Sequence, residues 1–327
     1  MFTRLQLYLL IGFTLAGGCV LAVYEIWLNP SSPANVPALP ASSGIAAPAK
    51  PGNDAAPEGE SRRALPETTL PDAYFKLTAK SHTDISMPAG NEKLDAGLEF
   101  KYAHDKTNDG ILLTVYSMDM SMSRGGVFVE HTLMTRDKFV QQQGDQKTES
   151  PFDELPPDQQ QAMAAAFGTN FCKITLDADQ NEQGRQVFSE AGSALINEGN
   201  LNTLRLMHGP YHHGVDRWQG VKRIPMTAGL VLDCPLEYVK TGGPGSEIDV
   251  TGSLSKEEVD SPQADMAIKN VSCSISGKEF FDENLEDYTS GEITFRYKFQ
   301  VFQKGVQAQT LDGNVLLSLE RVTATGK

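Results

Sequence analysis

Cysteine is scarce in this chain: four residues in 327, at Cys19, Cys172, Cys234 and Cys273. No two are spaced Cys-x-x-Cys, which argues against a zinc ribbon or a thioredoxin-type redox motif. Positive charge is also short, with 28 Lys and Arg against 42 Asp and Glu and a formal net charge of −14. Nucleic acid and anionic membrane surfaces both call for clustered basic residues, so neither fits as a partner of the globular part. Signature catalytic motifs are missing as well: there is no Gly-x-Ser-x-Gly elbow, no Gly-x-x-x-x-Gly-Lys phosphate loop and no His-Glu-x-x-His helix. Catalytic groups can lie far apart in sequence, so the question of an enzyme stays open, leaning towards none. No repeat at solenoid or propeller spacing is present.

One long hydrophobic run does occur. Leu5 to Leu28 is almost wholly apolar, Arg4 precedes it, and no Lys or Arg follows until Lys50. A helix needs about 20 apolar residues to span a bilayer. The positive-inside bias then puts Met1 in the cytoplasm, with Tyr24 and Trp27 at the outer interface. Residues 1–28 are therefore expected to be an uncleaved signal anchor in a bacterial inner membrane, with the C-terminal part in the periplasm. The rival is a lipoprotein anchored at Cys19, since Ala16-Gly17-Gly18-Cys19 resembles a lipoprotein cleavage site. It departs from that pattern in having Ala16 where Leu, Val or Ile is usual, and the apolar run continues through Val20 to Val23.

Residues 29–72 are rich in Pro, Ala and Ser and hold half of the chain's 18 prolines. Such a segment cannot bury enough apolar surface to offset its ordering entropy, and its spaced prolines favour an extended tether. From 73 to 327 the composition is globular, sufficient for one large domain or for two subdomains meeting near 200–220.

That region reads as mainly β. In Glu292 to Val301, apolar Ile293, Phe295, Tyr297, Phe299 and Val301 alternate with polar residues, the period of a strand buried on one face. Lys304-Gly305 and Asp312-Gly313 are expected to turn the chain between this strand and two further runs, Val306 to Leu311 and Val315 to Val322. Further strands are expected at Leu94–Tyr102, Ile111–Met122, Val127–Met134, Phe171–Leu176, Leu201–Met207, Leu230–Val239, Ile248–Leu254 and Ala267–Ile275. Two helices interrupt them: one opens at Pro156-Pro157 and stops at Gly168, and a shorter one runs from a Ser189 cap to near Gly199. The fold class is an antiparallel sandwich, open barrel or curved sheet with one or two short covering helices.

Several residues are candidates for specific chemistry. Cys172, Cys234 and Cys273 each fall in register with apolar neighbours, and Cys234 with Cys273 is the favoured pair if a disulfide forms. Met118, Met120 and Met122 share one face of a strand. A hairpin centred on Arg124-Gly125 brings His131 opposite Met118 and Val129 opposite Met120. Met118, Met120 and His131 then offer soft ligands suited to Cu(I), as in the Met/His sites of periplasmic copper carriers, although core packing by the methionines explains the same pattern. His208, His212, His213 and Asp216 lie on a Gly- and Pro-containing loop that is a candidate polar or acid–base site. Asp177 to Asn181 resembles the start of a calcium loop but has Glu182 where Gly is required.

The expected function is that of a membrane-tethered envelope protein. Its extracytoplasmic β-rich domain binds a protein partner or an apolar ligand without catalysis and without a cofactor. The alternatives are a periplasmic copper protein and an envelope enzyme using the His208–Asp216 loop.

Overall fold

The computed structural model describes residues 70–88, 90–107, 110–176, 182–193, 196, 207, 210–225, 231–242, 246–260 and 266–323. The expected anchor, Cys19, nearly all of the tether, the calcium-like loop and the strand at 201–206 lie outside them. Among the described residues no helix is long and apolar enough to cross a membrane.

The fold is mainly β. Its strands are β1 (Ala73–Met87), β2 (Gly90–Thr107), β3 (Gly110–Arg124), β4 (Val127–Thr135), β5 (Lys138–Gln143), β6 (Gln146–Pro151), β7 (Asn170–Leu176), β8 (Glu182–Val187), β9 (Arg217–Pro225), β10 (Val231–Lys240), β11 (Ser246–Asp260), β12 (Met266–Asp282), β13 (Asp287–Gln303) and β14 (Val306–Thr323). All belong to one 14-stranded sheet in the order β6-β5-β4-β3-β2-β1-β14-β13-β12-β11-β10-β9, with β7 and β8 branching from β3. Neighbouring strands pair antiparallel, and the sheet is not closed, since β6 and β9 end the path without meeting. The first and last strands pair with each other, Leu77 opposite Leu319 and Ala79 opposite Leu317.

Alternation explains why the sheet has one dry face. Opposed residues share a face. Leu77 stands between Phe100 and Leu319, and Phe295 between Ile275 and Val315. Phe100, Phe299, Leu311 and Val315 have no exposed surface. Removing each such side chain from water contributes roughly 1.5–3 kcal/mol. The other face carries charged pairs such as Lys76–Glu99 at 3.0 Å and Lys298–Asp312 at 2.8 Å.

Two short helices follow the sequence signals. α1 (Pro157–Ala166) has proline in its first turn and buries Met163 and Ala166. Gly168, at φ +71°, ends it. α2 (Glu190–Ser193) is a single turn capped by Ser189, whose Oγ accepts the Gly192 N–H at 3.1 Å.

Two turns differ from expectation. Lys304 and Gly305 do form the β13–β14 turn, both with positive φ. Asp312-Gly313, however, lies within continuous β14, paired to β1 on one side and β13 on the other. Glycine is there for space: a Cβ on Gly313 would sit 2.6 Å from the Tyr297 hydroxyl. That hydroxyl reaches over β14 to Thr83 Oγ1 on β1, at 2.6 Å. In the β3–β4 hairpin the turn residues are Gly125 and Gly126, at φ +58° and +78°, not Arg124-Gly125. A two-residue turn of this hand requires positive φ at both positions, which glycine adopts without strain.

Candidate functional site

The β3–β4 register decides the Met/His patch. Arg124 pairs with Val127, and a bulge at Met122/Ser123 takes up one extra residue. Met118 is therefore opposite Met134 and Met120 opposite Thr132, both on the inner face, while His131 is opposite Ser121 on the outer face. Met118 is fully buried and Met120 packs against the core. The His131 Nε2 lies 2.8 Å from Asp119 Oδ1. The three candidate copper ligands are not brought together: moving the turn by one residue shifts the pairing by two and leaves each side chain on its face, but the bulge adds an odd step that turns His131 to the other face. Among the described residues no group of three or more His, Cys, Asp or Glu is placed to hold a metal ion.

The histidine loop is tied down by Tyr211. His208 lies outside the described residues. The His213 ring meets Tyr211 edge-on at 5.0 Å and the His212 ring meets Trp218 at 5.8 Å. Tyr211 stacks on Phe281 at 3.7 Å. Its hydroxyl donates to Glu283 Oε1 at 2.7 Å, and the Lys240 ammonium donates to that oxygen at 2.9 Å and to the Tyr211 hydroxyl at 3.2 Å. The fully buried Ser246 completes the group, its Oγ 3.2 Å from the Tyr211 hydroxyl. The bonds from Lys240 and Tyr211 hold the Glu283 carboxyl down to about 2. Asp216 contributes its backbone carbonyl, which accepts the Lys240 N–H at 2.8 Å. These bonds staple the loop to the ends of β10 and β12.

The interior under β9–β12 holds a different kind of group. Glu279, on the inner face of β12, is 1% exposed, and neither carboxyl oxygen has a hydrogen-bond partner among the described residues. The Tyr238 hydroxyl on β10, in a residue also 1% exposed, has none either. Register places the two diagonally across β11: Glu279 is opposite Ile248, Tyr238 is opposite Val250, and Val250 is opposite Gly277. Glycine occupies the inner-face positions beside Glu279, Gly277 two residues before it and Gly291 opposite it. These offer no side chain to bond the carboxyl. They also let β12 and β13 close in, since a Cβ on Gly277 would lie 2.1 Å from the Glu292 carbonyl oxygen. Burial pushes the Glu279 carboxyl up to about 8 against the opposing charge of Lys222. The Tyr238 hydroxyl is pushed up by burial first and then by Glu279. Alternation alone marks Glu279 as inward, but its apolar partners give no sequence signal that it lacks a bond.

Two thiols lie in the same interior. Cys234 and Cys273 are buried and reduced, as is Cys172. The Cys234 thiol donates to the Pro235 carbonyl oxygen at 3.8 Å, and its interaction with Cys273 raises the Cys234 pKa and lowers that of Cys273. They lie where the β9–β12 half of the sheet is held least. β10 pairs with β11 over only five residue pairs, from Leu236–Gly252 to Lys240–Ile248. β11 and β12 share fourteen. Cys234 falls just beyond the last β10–β11 pair. Outside that junction is a hollow of about 530 Å³, lined by Val221, Pro235, Glu237 and Thr251 among others.

No protein-family model and no curated protein matches the chain. Among solved structures, the β domain of the Bordetella autotransporter BrkA aligns at 4% identity over 78% of this chain and 100% of its own, with a TM-score of 0.22. OccK5 of Pseudomonas aeruginosa aligns at 8% identity over 77% and 98%, with a TM-score of 0.20. OpdL of the same organism aligns at 8% over 77% and 99%, with a TM-score of 0.19. At these scores the fold rests on the strand pairing itself.

Proposed function

We propose that this chain is a membrane-tethered envelope protein whose β-rich domain holds an apolar ligand inside a strongly curved, open sheet, without catalysis. Residues 5–28 anchor it in a bacterial inner membrane, residues 29–72 carry the domain away from the bilayer, and residues from 73 onward lie in the periplasm. The observation that carries the ligand reading is an unclosed sheet whose inner face is predominantly apolar and whose border ribbon, β9–β10, is attached by five residue pairs. A single sheet with so little helical cover dries one face only by curling over it, and close approaches such as that at Gly277 support such bending. The weakly held ribbon is the natural place for the interior to open.

Hydrogen exchange on the full chain tests this. Amides of β9 and β10 should exchange well before those of β12–β14, and added apolar ligand should slow them selectively. Uniform protection with no ligand effect refutes the proposal. Native mass spectrometry of protein released from membranes would identify a retained ligand. For topology, alkaline phosphatase fused after Lys327 should be active. A mature N-terminus at a lipidated Cys19 would replace the anchor by the lipoprotein alternative.

A protein partner is the second reading, supported by β9. This nine-residue strand ends the sheet, and no described strand pairs with its outer edge. β6 at the opposite border is blunted by Lys147, Glu149 and Pro151. Strand addition at β9 predicts that proline at Val221 abolishes cross-linking to the partner without unfolding the domain.

A further inference from the structure

We infer that Glu279 and Tyr238 form the recognition point for the oxygen-bearing head group of a single-chain amphiphile, a long-chain acid or alcohol, whose chain lies along the apolar inner face. This rests on the ligand reading above and specifies the chemistry of the same interior. Two polar groups are wholly buried on the inner face, on strands separated by β11, and neither has a hydrogen-bond partner among the described residues. Native interiors pair nearly all such groups, so two orphans on one patch call for a guest. Their surroundings narrow its kind. Ile248 and Val250 lie between them, Gly277 and Gly291 flank Glu279, and a Cβ on Gly291 would lie 2.9 Å from the Met207 methyl. Such a setting suits one small polar end on an otherwise apolar molecule and offers nothing to a sugar or a phosphate with many oxygens.

The donors match an oxygen. A protonated carboxyl donates one hydrogen bond and the phenol donates another, so both can converge on one carboxylate, carboxyl or hydroxyl oxygen. The groups that act on the pair are Lys222 from β9, Cys234 from β10 and, through Cys234, Cys273 from β12. Lys222 supplies positive charge towards an anionic head. Entry follows from the border ribbon: Tyr238 is itself on β10, so lifting β9–β10 from β11 uncovers one member of the pair.

The test measures displacement of a fluorescent apolar probe from the full chain in amphipol by palmitic acid, hexadecanol and hexadecane. Both oxygenated ligands should bind tighter than hexadecane. Tyr238→Phe and Glu279→Leu should each weaken them about tenfold, the worth of one buried hydrogen bond, while leaving hexadecane unchanged. Tyr238→Phe removes only an unbonded hydroxyl, so it tests the site without threatening the fold, and Glu279→Gln, which still donates, should bind like wild type. If all three ligands bind equally in every variant, the head-group site is refuted and the ligand reading stands. If none displaces the probe, the ligand reading itself fails. A crystal structure showing only water between the two groups also overturns the assignment.

Discussion

Glu279→Gln should change how the stability of this protein depends on pH, because it removes a titration while preserving volume. In the fold the carboxyl is raised to about 8 from its ordinary 4.5. Between those values the folded protein keeps the proton and the unfolded chain releases it. The unfolded state therefore binds fewer protons, and stability falls as pH rises through the window, levelling off above about pH 8. Each pH unit costs about 1.4 kcal/mol, so from pH 5 to pH 7 the wild type should lose about 3 kcal/mol relative to the variant. A buried carboxamide carries a desolvation cost of about 1–3 kcal/mol, but that cost does not depend on pH and shifts only the offset between the curves. Other titrating groups are common to both proteins and cancel in the difference. Urea unfolding of the two full-length proteins between pH 4.5 and 8 measures it. Parallel curves across that range would refute a neutral, buried Glu279.

Three further outcomes follow from named contacts. Oxidising Cys234 and Cys273 with diamide should join them, close a loop of about 40 residues, raise stability by about 4 kcal/mol and slow exchange in β9–β10. If both thiols stay open to alkylation after unfolding, the bridge is refuted. Met118→Ala should cost about 2–5 kcal/mol as a buried truncation, whereas His131→Leu should cost about 0–1 kcal/mol by removing a half-exposed pair. Copper titration should find no Cu(I) site that both changes abolish. Tyr297→Phe or Thr83→Val alone should cost about 1–3 kcal/mol by orphaning a buried hydroxyl, and the double variant less than their sum, as a double-mutant cycle would show.

Much of the sheet was legible because its signal is local. The alternation in Glu292 to Val301 lies within β13, and the runs expected at residues 94–102, 111–122, 248–254 and 267–275 fall inside β2, β3, β11 and β12. The Ser189 cap and the Gly168 stop were legible for the same reason. β1, β5, β6, β8 and β9 were missed: polar runs such as Gln146 to Pro151 belong to strands only because a neighbour supplies the hydrogen bonds. Asp312-Gly313 misled because glycine serves turns and close approaches alike, and the second use depends on Tyr297 and Thr83, distant in sequence. The Met/His patch needed an unbulged hairpin: the bulge at Met122/Ser123 shifts the register by an odd step, and period-two geometry then separates His131 from the methionines. The unpartnered Glu279 carboxyl was invisible, since its environment comes from β10, β11 and β13 together.

The position of Glu279 connects the stability argument to the functional one. A carboxyl that makes no hydrogen bond contributes nothing to the fold at acidic pH and opposes it increasingly towards pH 8. Leucine or methionine there would pack against Ile248 without that cost, so fold stability alone gives no reason for an acid at residue 279. The same interior holds a second orphan at Tyr238, and both lie beside the strand pairing with the fewest bonds in the β9–β12 half of the sheet, β10 on β11. A local violation of packing rules, placed next to a lightly secured border of an open sheet, is how binding sites differ from cores. On this reasoning the cost of Glu279 and the looseness of β9–β10 serve one purpose: the ribbon admits a guest, and the guest supplies the hydrogen bonds that the described residues do not.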